Sequence, residues 1–197
     1  MDILQQLNSI LSTSGSFDKI GEKANASPEQ AQQLVTLAIP TLLEALNRNA
    51  STPQGAKALS NALDDHNTFD LNNLAGFFQD VDTRDGSRIL QHVFADKNAR
   101  VQENLAKQSG LNVGQIGALL SQIAPMVLGL LGAQKKNQHI ATEDMPMLTS
   151  SILGAVGKTD DQGQNSLLNI ASQFLDRDND GSVMDDLGDI LGGFMKK

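Results

Sequence analysis

The chain has 197 residues and a formal charge of −8, with 15 Lys and Arg against 23 Asp and Glu, and it contains no Cys, Trp or Tyr. The absence of cysteine excludes disulfides, thiolate catalysis and Cys-ligated metal centres. The acidic charge argues against direct binding of nucleic acid, which requires clustered Lys and Arg. An apolar content of 40% is sufficient for a buried core.

The sequence gives no sign of a membrane or secretory location. No stretch approaches the roughly 18 consecutive apolar residues of a membrane span. The first residues also lack the cationic opening of a signal peptide. We therefore expect a soluble, cytoplasmic protein that does not cross or bind a membrane.

Apolar residues recur at helical spacing along almost the whole chain. The first example is residues 2–13, where Ile3, Leu7 and Ile10 belong to one apolar stripe. The two-residue alternation of strands is nowhere sustained, and short polar breaks separate the helical stretches. We predict an all-α protein in which residues 1–197 form one compact multihelical bundle of about ten helices.

Several predicted helices begin at residues that can cap a helix N-terminus. Ser27 is followed by proline and then by Gln30, which predicts a capping box with proline at the first helical position. Thr52, also followed by proline, predicts the next start. Thr142 is followed by two acidic residues, which favour the positive end of a helix dipole, and predicts a later start.

Two long stretches resemble each other when the sequence is shifted by 85 positions. Residues 27–46 then superpose on residues 112–131, and Pro40 falls on Pro125. Because proline inside a helix removes a hydrogen bond and clashes with the preceding turn, we expect two proline-kinked central helices. We interpret the repeat as an internal duplication or a shared packing role. The alternative is a chance match between two buried apolar helices.

The strongest chemical signal lies in residues 166–194, which predict a helix, an acidic loop and a second helix. Asp176, Asp178 and Asp180 take positions 1, 3 and 5 of an EF-hand-type loop, and Ser182 takes position 7, where the backbone carbonyl is the ligand. Alternate residues of such a loop point inward, so three carboxylates converge on one hard cation. The spacing therefore predicts a metal site.

The end of this loop departs from the EF-hand pattern. Position 12, normally a bidentate Glu, is Leu187, and the carboxylates stand at Asp185 and Asp186. We expect one of them to close the coordination sphere and calcium to bind weakly, with a dissociation constant on the order of 10⁻⁴ to 10⁻³ M. Magnesium is less favoured because it demands tighter octahedral geometry. The alternative is an Asx-turn in which the aspartates cap backbone amides without a metal.

A second acidic turn, residues 80–87, imitates this loop but breaks its spacing. We expect it to be a helix start capped by Asp85 or Ser87. The three histidines lie far apart in the sequence, and His92 is expected to be a core or partly buried residue with a local hydrogen bond. No catalytic residue is identified.

Glycine-bearing apolar stretches, residues 127–132 and 187–194, leave the oligomeric state open. Small residues allow close approach of helices between copies of the chain. The simpler explanation is internal packing of a crowded bundle. A homo-oligomer is therefore one of two interpretations of these stretches.

Four segments carry a family resemblance: residues 85–94 (DGSRILQHVF), 106–111 (AKQSGL), 123–129 (IAPMVLG) and the acidic loop at 176–187. In this order and spacing they resemble the bacterial YidB-like family, known as domain of unknown function 937. The resemblance implies a multihelical fold and a bacterial cytoplasmic setting, and it implies no activity. One departure is Ala95, where members of the family tend to have glycine after the aromatic residue.

These observations favour a non-enzymatic interaction or structural protein that binds an unidentified protein partner. Its acidic loop would bind calcium and hold the last two helices together. The alternative from another class is a metal-dependent hydrolase that uses the same acidic cluster to activate water. A third hypothesis is a regulator that presents its acidic surface to a basic nucleic-acid enzyme.

Overall fold

The computed structural model describes residues 9–67, 69–70 and 73–156. Residues 9–13 are helical, and the regular elements that follow are all helical, which confirms the all-α class for these ranges. The predicted segment at 166–194 lies outside the described residues, so the count of about ten helices stays a prediction. Eight α-helices have the bounds α1 (Ser16–Ala24), α2 (Pro28–Ala50), α3 (Pro53–Asp65), α4 (Leu74–Asp80), α5 (Thr83–Phe94), α6 (Asn98–Ser109), α7 (Val113–Gln138) and α8 (Met145–Val156).

Helix α7 is the centre of the bundle, and α1, α2, α3, α5 and α6 all pack against it. Among the described helices only α7 is long and apolar enough to cross a membrane, and 78% of its most apolar stretch is buried inside the protein. Burial of this kind is typical of a core helix. The apolar surface of α7 is therefore covered by the helices that pack against it.

Helices α2 and α7 begin in the same way, at positions 85 apart. In α2 the Ser27 hydroxyl accepts from the Gln30 backbone N–H at 3.3 Å, and the Gln30 side chain accepts from the Ser27 N–H at 2.9 Å. Asn112 and Gln115 form the equivalent capping box in α7, at 2.9 and 3.1 Å. The Ser27 hydroxyl also donates to Glu29 and thereby lowers the pKa of Glu29 below its ordinary value. The predicted cap at Ser27 is confirmed, and the duplication and the kinks stay predictions.

Two glycines bring neighbouring helices against α7. Pro125 has no N–H, so the carbonyl of Ser121, four residues earlier, has no helical donor. Gly86 of α5 lies on that carbonyl, and a Cβ at position 86 would overlap its oxygen. Near the end of α7, a Cβ at Gly132 would lie 2.6 Å from the Leu63 carbonyl oxygen of α3. Both α5 and α3 thus rest on α7 through a glycine and a carbonyl, and Gly132, the last residue of the first glycine-bearing stretch, takes part in internal packing.

The predicted start at Thr52 is confirmed, because its hydroxyl accepts from the first turn of α3 at 3.1 Å.

The predicted cap of α5 was wrong. Helix α5 begins at Thr83, so the capping position belongs to Asp82, whose carboxylate accepts two backbone N–H groups of the first turn at 2.8 and 3.4 Å. Asp85 and Ser87 lie inside the helix and cannot serve this role. The start predicted at Thr142 is a short 3-10 helix, Thr142–Asp144, that leads into α8.

The residue after α5 has an unusual backbone conformation. Ala95 has φ 49° and ψ −124°, a region that L-residues with a side chain rarely adopt. Glycine reaches this region without the clash of a Cβ. The turn at which the family tends to have glycine is therefore present in this chain and carries an alanine.

Candidate functional site

A cleft runs between α3 and α5. Both helices pack on α7, but they do not pack along each other. One half of the cleft lies between α3 and α5, and the other is lined by the end of α3, by α4 with the segments on either side of it, and by the start of α5. The halves enclose about 560 and about 420 Å³ and meet at Asp85, which lines both. We call the whole feature the α3/α5 cleft.

The larger half has an apolar floor and is called the apolar half. Leu46 of α2 and Leu128 of α7 form the floor, and both are almost fully buried. Three of the four residues in the wall of α3 have small side chains, which leaves the half open. The residues that form the two walls are Gly55, Ala58, Leu59 and Ala62 from α3, and Ile89 and Val93 from α5.

Basic side chains border the apolar half. The Arg88 guanidinium donates to Asp85 Oδ1 at 3.1 Å, and the Arg88 side chain is 68% exposed. Arg48 Nε donates to Glu44 Oε1 at 3.1 Å from the end of α2. His92 completes this border from α5. We call Arg48, Arg88 and His92 the basic rim; each of its arginines is paired with a carboxylate, Arg48 with Glu44 and Arg88 with Asp85.

His92 corrects one prediction and confirms another. Its ring is exposed, whereas a core or partly buried position was expected. The buried face of α5 contains Gly86, Ile89 and Val93, and helical spacing places position 92 beside that face at the mouth of the cleft. The expected local hydrogen bond is present, because His92 Nδ1 donates to the Arg88 carbonyl at 2.8 Å.

The smaller half is acidic and is called the acidic half. Two phenylalanines form part of its surface, Phe69 and Phe77, whose rings lie 5.0 Å apart in an edge-to-face arrangement. Pro125 and Gly129 of α7 form its floor. The aspartates that line this half are Asp65, Asp70, Asp80, Asp82 and Asp85.

His66 and Asp85 join the two walls where the halves meet. His66 Nδ1 lies 2.8 Å from the Ala62 carbonyl oxygen, and Nε2 lies 2.9 Å from Asp85 Oδ2. Asp85 accepts from Arg88 with its other oxygen. This chain of polar contacts fixes the spacing of α3 and α5 at the middle of the cleft.

Sequence reasoning did not predict this cleft. His66 and Asp85 are 19 positions apart, and no sequence motif joins them. One signal was available, the series Gly55, Ala58 and Ala62, which places small residues on one face of α3. The sequence does not show which helix lies opposite that face. The cleft therefore becomes apparent only when α3 and α5 are packed on α7.

The predicted metal ligands lie outside the described residues. They are Asp176, Asp178, Asp180, Ser182, Asp185 and Asp186, all beyond Val156. Within residues 9–67, 69–70 and 73–156, no group of three or more His, Asp or Glu side chains is placed to hold a metal ion. The acidic turn at 80–87 belongs to this range and forms the start of α5.

Comparison with known proteins gives one match. Residues 5–134 and 135–197 match the bacterial family described as "Bacterial protein of unknown function (DUF937)". A search of curated proteins and a search of solved structures each found no match.

Proposed function

Because this chain belongs to the bacterial family DUF937, whose description assigns no activity, we propose its function from the α3/α5 cleft. We infer that it is a non-enzymatic interaction protein of the bacterial cytoplasm, and that the cleft receives a helix of a protein partner. The observation that carries this proposal is an open cleft with an apolar floor between two helices that share a support and do not pack along each other.

The dimensions of the apolar half suit a short helical segment. From Gly55 to Ala62 the wall of α3 rises by about 10 Å, at 1.5 Å per residue, which is about two helical turns. Small side chains on this wall allow a third helix to approach closely. Recognition of an amphipathic helix in an apolar groove uses anchors at positions i, i+3 or i+4, and i+7, and two turns supply them.

The support of the walls favours binding without rearrangement. Gly86 and Gly132 fix α5 and α3 on α7, and the His66–Asp85 contact fixes their separation. A groove with fixed walls loses little conformational freedom when a partner binds, which favours affinity. The described part of the chain is therefore organised as a preformed receptor for a helix.

The experiment is affinity purification of the full chain from its native host in three forms. Ala58→Phe places a ring in the open part of the apolar half, whereas Lys57→Phe places the same ring on an exposed position of α3 that does not line the cleft. We expect wild type and Lys57→Phe to retain the same partner and Ala58→Phe to lose it. Retention by all three forms contradicts the proposal, and so does metal-dependent turnover in a broad hydrolase panel.

We further propose that the C-terminal acidic loop binds calcium, with Asp176, Asp178 and Asp180 as its central ligands. The support is the alternating spacing of the three carboxylates, which repel one another unless a cation lies between them. Calcium added to metal-free protein should raise the melting temperature, because the ligands converge only in the folded state. Asp178→Ala and Asp180→Ala should abolish that rise. An unchanged melting temperature at millimolar calcium contradicts the calcium site.

A further inference from the structure

We infer that the helix received by the α3/α5 cleft is basic at one end, and that its Lys or Arg side chains lie over the acidic half. This inference rests on the proposed docking role and adds the chemistry of the partner. It follows from the balance of charge along the cleft and from two aromatic rings in the acidic half. A partner protein that presents an apolar stripe followed by cationic side chains is the occupant that fits.

The apolar half offers little net charge to an occupant. Its two arginines are each paired with a carboxylate, Arg48 with Glu44 and Arg88 with Asp85. The floor beneath them is apolar. This half therefore selects the apolar stripe of the partner helix, and any selection by charge comes from the other half.

The acidic half has an excess of negative charge. Among the described residues that line it there are five aspartates and no Lys or Arg. Asp65 and Asp80 are exposed, and neither side chain forms a hydrogen bond or an ion pair within the described part of the chain. Asp82 accepts only from backbone N–H groups of the first turn of α5, so its charge has no cationic partner. Even with Asp85 set against Arg88, an arriving cation meets carboxylates whose charge is not balanced.

Two phenylalanines make the acidic half suitable for long cationic side chains. Phe69 and Phe77 line it beside the aspartates, and both are half-buried. A Cβ at Gly129 would lie 2.5 Å from that of Phe69, so the glycine allows this ring to rest on α7. Aromatic rings attract the charged groups of Lys and Arg, and they also cover the methylene groups of these side chains. The half thus provides apolar contact for the stem of a cationic side chain and carboxylates for its end.

The arrangement of the aspartates favours a polypeptide over a metal ion. Among the described residues, no three His, Asp or Glu side chains are placed to hold one metal ion. The carboxylates come instead from the end of α3, from the segments around α4 and from the start of α5. Cationic side chains that lie three or four positions apart on one face of a helix can reach separate carboxylates. The basic end of the partner helix therefore lies over the acidic half, and its apolar stripe covers Leu46 and Leu128.

The test uses the full chain and two synthetic helical peptides with identical leucine positions. One peptide carries several Lys at one end, and the other carries Glu at the same positions. Binding is measured by isothermal titration at about 0.15 M salt, where charges more than about 8 Å apart are largely screened. We expect the Lys peptide to bind about tenfold more tightly than the Glu peptide. Equal affinities for the two peptides overturn the inference.

Two double variants of equal charge separate local contacts from the net charge of −8. Asp65→Asn with Asp80→Asn should reduce the preference for the Lys peptide to about twofold. Asp96→Asn with Glu103→Gln removes the same charge from exposed positions that do not line the cleft, and should leave the preference unchanged. An equal loss of preference in the two double variants overturns the inference. Matching melting temperatures establish that both double variants are folded.

A nitroxide label at the basic end of the Lys peptide tests the direction of the bound helix. Val81 lines the acidic half and Val93 lines the apolar half, so their methyl NMR signals report on the two ends of the cleft. We expect the label to broaden the signals of Val81 more than those of Val93. Stronger broadening of Val93 contradicts the inferred direction.

Three further outcomes separate this inference from the docking role itself. If Ala58→Phe blocks both peptides while charge has no effect, the cleft binds helices and the basic chemistry is wrong. If neither peptide binds and the chain forms a dimer that Ala58→Phe abolishes, the occupant is a second copy and the inference is also wrong. If neither peptide binds and no such dimer forms, the docking role and the inference fail together.

Discussion

The two walls of the cleft rest on the same helix by different contacts. Helix α5 meets the middle of α7, where Gly86 lies on the carbonyl that Pro125 leaves without a helical donor. Helix α3 meets the end of α7, where Gly132 faces a carbonyl of α3 and Lys135 reaches two further acceptors. Since neither wall is positioned by packing along the other, α7 and the His66–Asp85 contact together determine how wide the cleft is.

The contacts of the two walls also differ in kind. The contact of α5 at Gly86 is steric, because any side chain at that position meets backbone atoms of α7. The contact of α3 includes an ion pair, in which Lys135 Nζ donates to the Ser60 carbonyl at 3.0 Å and to Asp64 Oδ1 at 2.6 Å. Substitutions at the α5 contact should therefore cost more than substitutions at the α3 contact, where the substituted residues Gly132 and Lys135 belong to α7.

The largest effect is expected for Gly86→Ala. The new methyl group overlaps the Ser121 carbonyl oxygen, so α5 must move away from α7 along its most extensive contact. We expect a loss of about 3 kcal/mol in the free energy of unfolding, measured by chemical denaturation. Gly154→Ala is the matched control, because nothing lies within 4 Å of a Cβ there. It should stabilise the helix by about 0.5 to 1 kcal/mol. Equal behaviour of the two variants would contradict the close contact at Gly86.

Gly132→Ala tests the other wall in the same way. Its Cβ would lie 2.6 Å from the Leu63 carbonyl oxygen, an overlap that a smaller shift of α3 relieves. The expected loss is about 2 kcal/mol, less than at Gly86. A larger loss of stability at Gly132 than at Gly86 would contradict the expectation that the α5 contact is the less tolerant of the two. The quantity to compare is the free energy of unfolding of Gly132→Ala against that of Gly86→Ala.

Lys135→Met isolates the polar part of the α3 contact. The methionine retains most of the apolar volume and removes both hydrogen bonds of the ammonium group. Lys135 is 11% exposed and Asp64 is 60% exposed, so solvent replaces part of the lost interaction. We expect a loss of about 1 kcal/mol in the free energy of unfolding, against no change for Lys136→Met on the exposed side of α7. Equal losses of stability in Lys135→Met and Lys136→Met would show that the effect does not come from the ion pair with Asp64.

Ala95→Gly should act in the opposite direction and by the smallest amount. It relieves the positive φ at the end of the α5 wall and should stabilise the protein by about 1 kcal/mol or less, because glycine also increases the freedom of the unfolded chain. Ala99→Gly, at an exposed helical position nearby, should destabilise it instead. Destabilisation by both variants would show that Ala95 is unstrained.

Local signals in the sequence were sufficient for the fold class and for several helix starts. The capping residues Ser27 and Thr52 act within their own first turn, so their roles follow from neighbours in the chain. The same logic failed for α5, because four possible acceptors stand within residues 82–87 and only the true start of the helix selects Asp82. His92 was misplaced because its exposure depends on how α5 rotates against α7.

The cleft required information that no local pattern contains. Gly86 and Ser121 are far apart in the sequence, and neither is unusual for its own helix. Their contact determines where α5 lies, and the position of α5 determines that Arg88 and His92 border an apolar floor. The predicted calcium ligands differ in this respect, because their spacing is a strong pattern within a short stretch of sequence. They lie beyond the described residues, so the calcium site stays a prediction.

The most direct test of the docking role places a photo-crosslinking side chain at position 58 or at position 57 of the full chain in its native host. Position 58 lines the apolar half, and position 57, one residue away on α3, does not. The account predicts one adduct at position 58, formed through an amphipathic helix of another protein, and none at position 57. Equal labelling at both positions, or labelling at neither, would contradict it.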